Sequence, residues 1–240
     1  MNGIGQDFKT AAQVVLENRK KLFIPYLLVW LIYVAIVLFD TLLPDNHPFL
    51  LLLSFASAIA SLAAISSIGY TLACCYQQKE CKIFEGFKLY GWKFIVIGLL
   101  MLVFTVPVVF IMGMELITEN TVIQFLSMLV TNIVFTIVIV AMLVDDLNPI
   151  PAIGKGLSFL MSKFKKIIIP LTLAYSITFL IQSIAELRQL SSLITGTISL
   201  LSYAATIWFS SLATKLYIKY ADHWQPGTII DNPETPPLVE

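Results

Sequence analysis

Six long stretches of the chain contain no Asp, Glu, Lys, Arg or His, and they constrain the fold more than any other feature. They are residues 22–39, 48–78, 94–114, 120–144, 167–185 and 189–214. A helix needs about 18–20 apolar residues to cross about 30 Å of hydrocarbon, and each stretch is near or above that length. A β-barrel would instead show alternating segments of about ten residues. The sequence therefore predicts an all-α integral membrane protein with six transmembrane helices.

Composition supports this class. Only 12% of the residues are charged, whereas a soluble domain has about 25%, and the mean hydropathy is +0.86. The formal net charge is zero, with 15 basic and 15 acidic residues. This balance gives no indication of a nucleic-acid partner.

Positive charge is confined to one set of the segments that join the six stretches. Of the 15 Lys and Arg residues, only Arg188 falls in an even-numbered joining segment, and the other fourteen fall in odd-numbered ones. Segments rich in Lys and Arg stay on the cytoplasmic side of a membrane. We therefore predict that both termini are cytoplasmic.

A motif of two lysines, three apolar residues and a proline occurs twice, as KKLFIP ending at Pro25 and KKIIIP ending at Pro170. Upstream of each, apolar residues recur at i, i+4, i+7 and i+8, starting from Phe8 and from Ile153, which predicts amphipathic helices. A third copy, IFEGFKLYGWKFIVI, starts at Ile83. Such helices lie in the plane of the headgroups with the apolar face among the acyl chains. We predict that each proline marks the corner between an in-plane helix and a span.

These copies define three parallel repeats, at about residues 8–78, 83–145 and 151–219, within a single domain of residues 1–220. Each repeat is one cytoplasmic in-plane amphipathic helix followed by two spans. Spans two, four and six hold most of the small and hydroxylated residues, so we expect them in the interior of the bundle. Residues 225–240 are rich in Pro and predict a disordered cytoplasmic tail.

Basic residues end the amphipathic segments. Near a membrane surface each Lys or Arg contributes about 1 kcal/mol of attraction to anionic lipid. The residues predicted to contact lipid headgroups of the cytoplasmic leaflet are Arg19, Lys20, Lys21, Lys93, Lys165 and Lys166.

Few polar residues occur within the spans. Ser57, Asn132, Gln182 and Ser199 are the candidates for intramembrane polar contacts, either as hydrogen bonds between helices or as part of a polar permeation path. Intramembrane enzymes and ion-coupled pumps bury ionisable groups, and the six stretches contain none. Because no catalytic or phosphate-binding motif occurs elsewhere, we expect no enzyme activity, no cofactor and no metal site.

Two local clusters have both a functional and a structural interpretation. Cys74, Cys75 and Cys81 lack the spacing of metal ligands, and we interpret them as small apolar side chains in a reducing compartment. Asp145 and Asp146 are an adjacent acidic pair that could bind a cation or a partner. The following Asn148 and Pro149 favour a turn before the next helix.

One longer stretch, MLVDDLNPIPAIGKGLSFLMSKFKKIIIPLTL, resembles a group of prokaryotic six-span proteins. In that group a span ends in an acidic residue and is followed by an amphipathic helix, a basic pair and the next span. The group includes an uncharacterised inner-membrane family and the membrane domain that accompanies some glycerophosphodiester phosphodiesterases. No soluble phosphodiesterase domain occurs here. The resemblance implies a bacterial inner (plasma) membrane location.

Three functions remain open. The first is a non-enzymatic multi-pass protein that serves the upkeep of the envelope or is the membrane partner of another membrane or cytosolic protein. The second is a permease or channel-like protein for a lipidic or uncharged small molecule, indicated by the hydroxyl-bearing faces of spans two and six. The third is a membrane enzyme acting on lipid.

Overall fold

A computed structural model describes residues 2–42, 48–112, 121–185 and 192–221, although some side chains near the ends of these ranges are not described. The described residues form seven helices and contain no strand. The helices are α1 (Asn2–Glu17), α2 (Arg19–Leu42), α3 (Pro48–Tyr76), α4 (Glu85–Met112), α5 (Thr121–Val144), α6 (Pro149–Ala185) and α7 (Ser192–Tyr220). The predicted all-α fold class is confirmed for this part of the chain, and the predicted tail at 225–240 lies outside it.

Three of the helices are long and apolar enough to span a membrane over the residues described. The stretches are Leu52–Tyr76 in α3, Phe125–Val144 in α5 and Pro149–Ile181 in α6. Large apolar side chains such as Leu31, Phe55 and Leu180 are exposed on the outside of the bundle. An exposed apolar surface of this kind marks a membrane-facing or partner-facing surface. The helices therefore fit a membrane protein.

Helices α3, α5 and α7 contact one another and form the inner layer. Their carboxyl ends meet, because Gln77 Nε2 donates to the carbonyl of Val144 at 2.8 Å and the Tyr217 hydroxyl donates to Asp145 Oδ2 at 2.5 Å. These are the helices that carry predicted spans two, four and six. We call the end of the bundle where they finish the polar end.

Helices α3 and α5 end in the same way. Gln78 has a φ of 56° and Asp146 a φ of 48°, the left-handed conformation that often follows a helix. The next amide then reaches back to the helix, from Lys79 to the carbonyl of Cys74 at 2.9 Å and from Leu147 to that of Met142 at 3.0 Å. The chain turns at the acidic pair itself rather than at the predicted Asn148 and Pro149, and Pro149 is the first residue of α6.

The outer segments pack on the inner helices through small residues. A Cβ added to Gly86 of α4 would lie 2.5 Å from the carbonyl oxygen of Ser66 in α3, and one added to Gly156 of α6 would lie 3.0 Å from Cα of Val138 in α5. Ala11 of α1 is fully buried. Its carbonyl accepts a hydrogen bond from Ser211 Oγ of α7 at 3.1 Å. Each contact brings two helix backbones close together.

The predicted corners at Pro25 and Pro170 are wrong, because neither proline ends a helix, and the third copy has no boundary either. Helix α6 runs without a boundary through Lys165 to Pro170 and beyond, and α4 runs through Lys93 in the same way. In the first copy, α1 and α2 are separate, but they divide at Asn18 rather than at Pro25, which lies inside α2. A proline inside a helix removes one backbone hydrogen bond without ending the helix when tertiary packing holds both sides.

The buried face of α1 also differs from the prediction. Asp7, Ala11 and Val15 are buried against the protein, whereas Leu16, predicted to share the apolar face with Val15, is 64% exposed. Phe8 packs on Trp208 of α7 with ring centroids 5.3 Å apart. The partner helix selects this face, since the small Ala11 allows the closest approach.

Candidate binding cavity and polar end of the bundle

A cavity of about 220 Å³ lies between α2, α3, α5 and α7. Its walls are mostly apolar. The lining residues are Tyr26, Ile65, Ile68, Gly69, Leu72, Ala73, Asn132, Phe135, Thr136, Ile139, Val140, Leu143, Val144, Thr206, Ile207, Ser210 and Thr214. None of them is ionisable at neutral pH, so the site suits an uncharged molecule.

The depth of the cavity follows from its wall on α5. Asn132 and Val144 both line it, and the twelve helical steps from one to the other span about 18 Å. Val144 is the last residue of α5, so the cavity extends from the polar end to about the middle of the helix. Ile65, near the middle of the candidate span in α3, lines the cavity and is 47% exposed. An exposed residue thus forms part of the cavity wall near the middle of α3.

Hydroxyl and amide groups on two inner helices face this space. Thr206 Oγ1 donates to the carbonyl of Ser202 and Thr214 Oγ1 to that of Ser210, both at 2.9 Å. Asn132 Nδ2 donates to the carbonyl of Met128 at 2.8 Å and to the Tyr175 hydroxyl at 3.3 Å. The side chains of Asn132, Thr206 and Thr214 are thus held by bonds within the bundle.

The acidic pair at the polar end is bound to three other helices. Asp145 Oδ2 is 2.9 Å from Lys155 Nζ and accepts the Tyr217 hydroxyl, while Asp146 Oδ1 accepts the Tyr90 hydroxyl at 2.8 Å. The structural interpretation of this pair therefore has direct contacts in its favour, because both carboxylates hold helices together.

The contacts of the acidic pair change proton affinities. The hydrogen bond from Tyr90, helped by the charge of Lys93 and opposed by burial, lowers the pKa of Asp146. Burial and the hydrogen bond to Asp146 raise the pKa of Tyr90. Burial and the hydrogen bond to Asp145 raise the pKa of Tyr217. Both tyrosines therefore remain neutral donors at physiological pH.

A second ionic cluster holds α1 against α7. Asp7, which is 4% exposed, lies 3.4 Å from Lys215 Nζ and 2.8 Å from Lys219 Nζ. The hydrogen bond to Asp7 raises the pKa of Lys219. Next to this cluster the hydroxyls of Tyr76 and Ser211 are 2.9 Å apart. A buried carboxylate with two cationic partners is a specific anchor for α1.

The six predicted headgroup ligands separate into two groups. Arg19, Lys20, Lys21, Lys165 and Lys166 are exposed. Lys93 is only 12% exposed, lies 3.5 Å from Asp146 Oδ1 and donates to the carbonyl of Leu147 at 3.1 Å. This lysine faces the protein, which leaves it little access to lipid.

The predicted intramembrane polar residues are only partly brought together. Asn132 lines the cavity, whereas Ser57 is half-buried on α3 outside it. The side chains of Gln182 and Ser199 lie outside the described part of the chain. Sequence reasoning missed Ser210 and Thr214, which follow Thr206 on α7 at i+4 and i+8 and line the cavity with it.

The cysteines are free, with Cys74 and Cys81 buried and Cys75 half-buried. Among the described residues no group of three or more His, Cys, Asp or Glu side chains is placed to hold a metal ion. Asp7 was also missed as a site residue, because its partners Lys215 and Lys219 lie at the other end of the chain and no local pattern connects them.

Comparison with known proteins returns no match to a family model, to a curated protein or to a solved structure.

Proposed function

We propose that this chain is a non-enzymatic multi-pass protein of the bacterial inner membrane that takes up a lipidic or uncharged small molecule in its cavity, as a permease or channel-like protein does. The observation that carries the proposal is the cavity itself. The exposed Ile65 lines it near the middle of α3, its walls are mostly apolar, and it has hydroxyl and amide groups but no charge. Its volume is below the roughly 300–1,000 Å³ of sites for drug-sized ligands, so it suits a small molecule or one end of a longer one.

The architecture proposed for this function is six spans in three parallel repeats with both termini cytoplasmic. Its support is that equivalent positions of the three aligned segments make equivalent contacts with the inner helices. Ala11, Gly86 and Gly156 are each the fourth residue of the three aligned amphipathic segments, and each makes the close contact of its segment with an inner helix. The partners are α7, α3 and α5, which line the cavity together. Cyclic packing of this kind is what three equivalent repeats would produce.

Lipid contact at the cytoplasmic leaflet is a further part of the proposal. On α6, Ile150, Leu157, Met161 and Phe164 are exposed, and Met161 is 83% exposed. The exposed Lys165 and Lys166 follow directly. Apolar residues beside lysines are the pattern of a helix that enters the headgroup region of an anionic membrane.

Native mass spectrometry of the protein in mild detergent tests the cavity. We expect a bound lipidic adduct that is lost in Ser210→Leu, which fills the cavity, and kept in Ser176→Leu, which alters a similarly half-buried serine of α6 outside the cavity. Liposome flux should fall with the same variant. An adduct that is equally abundant in both variants would contradict binding in the cavity.

Cysteine labelling in intact cells and inverted vesicles tests the topology. In a background with the native cysteines replaced, Lys88→Cys and Lys165→Cys should react from the cytoplasmic side and Arg188→Cys from the outer side. Labelling of positions 88 and 165 from opposite sides would contradict the repeat arrangement.

The second candidate function is that of a membrane partner of another protein. The exposed apolar face of α6 at Leu157, Met161 and Phe164 favours it, because the same residues could bind an apolar protein surface. Purification in mild detergent should then recover one defined partner that is lost in Met161→Glu. Recovery of a monomer that retains full flux activity would remove this candidate.

A further inference from the structure

Two surface recesses lie at equivalent positions of the first and third aligned segments. One recess, of about 420 Å³, is lined by residues 16–21 at the junction of α1 and α2, and the other, of about 640 Å³, is lined by residues 160–166 of α6. The alignment that pairs Phe8 with Ile153 also pairs residues 16, 20 and 21 with residues 161, 165 and 166. Sequence and structure therefore place the two recesses at the same point of the repeat.

Each recess combines an exposed apolar side chain with a pair of exposed lysines. Leu16 is 64% exposed and Met161 is 83% exposed, and the lysines at 20–21 and 165–166 are exposed as well. A soluble anion would leave the apolar side chains in water, whereas a phospholipid offers a phosphate to the lysines and acyl chains to the apolar groups. Each recess therefore fits one anionic phospholipid.

The second aligned segment lacks the basic pair. In place of the two lysines it has Ile95 and Val96. Lys93, two residues earlier, lies 3.5 Å from Asp146 Oδ1 and its side chain is only 12% exposed. The repeat therefore provides two sites for an anionic headgroup rather than three.

The two recesses differ in charge. The lining of the recess in α6 contains Lys163, Lys165 and Lys166 and no acidic residue, which gives a net charge of +3. The lining of the other recess contains three basic residues and Glu17, which gives +2, and its Lys21 Nζ already donates to a backbone carbonyl at 3.3 Å. One charge near a membrane surface changes the attraction to anionic lipid about fivefold, so the recess in α6 should bind the lipid more tightly by about that factor.

We infer that the protein binds two molecules of an anionic phospholipid at these equivalent recesses, the tighter one at residues 160–166 and the weaker one at residues 16–21. This inference rests on the lipid contact within the proposed function and does not depend on the cavity. A general attraction between lysines and the membrane would fix neither the number of bound lipids nor their positions.

Native mass spectrometry of the full chain in mild detergent counts the bound lipids during titration with phosphatidylglycerol or with phosphatidylethanolamine of the same acyl chains. We expect two phosphatidylglycerol adducts whose dissociation constants differ about fivefold, and much weaker binding of the zwitterionic lipid. Glycerophosphoglycerol, the soluble headgroup without acyl chains, should not displace the adducts at equal concentration. Equal binding of the two lipids, or displacement by the soluble headgroup, would overturn the inference.

Lysine variants assign the two sites. The double variant Lys165→Gln/Lys166→Gln should weaken the tighter site more than tenfold, which is the effect of two charges, and leave the weaker site unchanged. The double variant Lys20→Gln/Lys21→Gln should do the reverse. Replacement of either pair by arginine keeps the charge and should retain both adducts.

Two controls separate this inference from diffuse attraction and from the cavity. Lys79→Gln/Lys82→Gln removes two exposed lysines that line neither recess and should leave both adducts in place; equal weakening in all three glutamine variants would overturn the inference. Ser210→Leu should also keep both adducts, and their loss in that variant would place them in the cavity and overturn the two sites. The absence of any adduct sensitive to Ser210→Leu would overturn uptake by the cavity and leave the two sites intact.

Discussion

Replacement of Gly86 by alanine is the most direct perturbation of the packing between outer and inner helices. The added Cβ would lie 2.5 Å from the carbonyl oxygen of Ser66, 2.5 Å from Cβ of Tyr70 and 3.0 Å from Cα of Ser67. Ordinary van der Waals contacts begin at about 3.4 Å. The chain must therefore open by nearly 1 Å, and the nearest atoms belong to helix backbone rather than to flexible side-chain ends.

The change in the free energy of unfolding is the sum of two opposing contributions. Overpacking of a tight contact costs about 1–3 kcal/mol. Alanine gains up to about 1 kcal/mol over glycine in a helix interior, and less near a helix start. We expect Gly86→Ala to lower the free energy of unfolding by about 1–2 kcal/mol. Gly98→Ala, in the same helix with nothing within 4 Å of its added Cβ, should raise it by up to about 1 kcal/mol.

Reversible unfolding in mixed detergent micelles, followed by circular dichroism, measures this difference. The two variants should differ by about 1–3 kcal/mol, with Gly156→Ala between them because its added Cβ lies 3.0 Å from Val138. Equal stability of Gly86→Ala and Gly98→Ala would refute the reasoning. Helix α4 would then not lie against Ser66, and the proposed cyclic packing would lose one of its three contacts.

Two further predictions concern the ionic contacts of the polar end. Asp7→Asn leaves Lys215 and Lys219 without a counter-charge and should lower the free energy of unfolding by about 2 kcal/mol, less than for a fully buried pair because both lysines are partly exposed. The exposed Glu80→Gln is the control, and equal stability of the two variants would contradict the anchor. Stability should also decline as pH rises above about 10, because the pKa values of Lys219 and Tyr217 are raised in the folded state and the unfolded chain loses its protons first. Thermal unfolding between pH 8 and 11 measures this decline, which should be shallower in Tyr217→Phe; a melting temperature that rises over this range would contradict the assigned contacts.

The helices and the interior position of three of them could be predicted from the chain alone. Long apolar runs specify helices in lipid, and the concentration of small and hydroxylated residues in alternate runs indicated which helices approach one another. Thr206, Ser210 and Thr214 of α7 line the cavity. Periodicity also found the amphipathic character of α1 and of the beginning of α6.

The orientation of α1 could not be predicted in this way. Periodicity ranks the faces of a helix by their apolar content, and on that basis Leu16 belongs to the buried face. The structure instead buries Asp7, since a carboxylate with two lysine partners from α7 can be desolvated at moderate cost. The partners are separated by more than 200 residues in the chain, so no local pattern reports their contact.

The corner at Pro170 could not be judged from sequence because proline only disfavours a continuous helix. Packing of α6 against α5 and α7 on both sides of Pro170 stabilises the continuous form. The same motif at Pro25 lies within α2, seven positions into the helix. Proline therefore marks a local loss of one backbone bond in both copies.

Helix α6 is continuous from Pro149 to Ala185. Its 37 residues extend about 55 Å, whereas the hydrocarbon layer is about 30 Å thick. Helix α6 is therefore about 25 Å longer than that layer is thick, and Met161 and Phe164 are exposed in its amino-terminal half. In the same helix, the Tyr175 hydroxyl accepts a hydrogen bond from Asn132 Nδ2 in the wall of the cavity. One continuous helix therefore joins the exposed Met161 and Phe164 to the contact with the cavity wall.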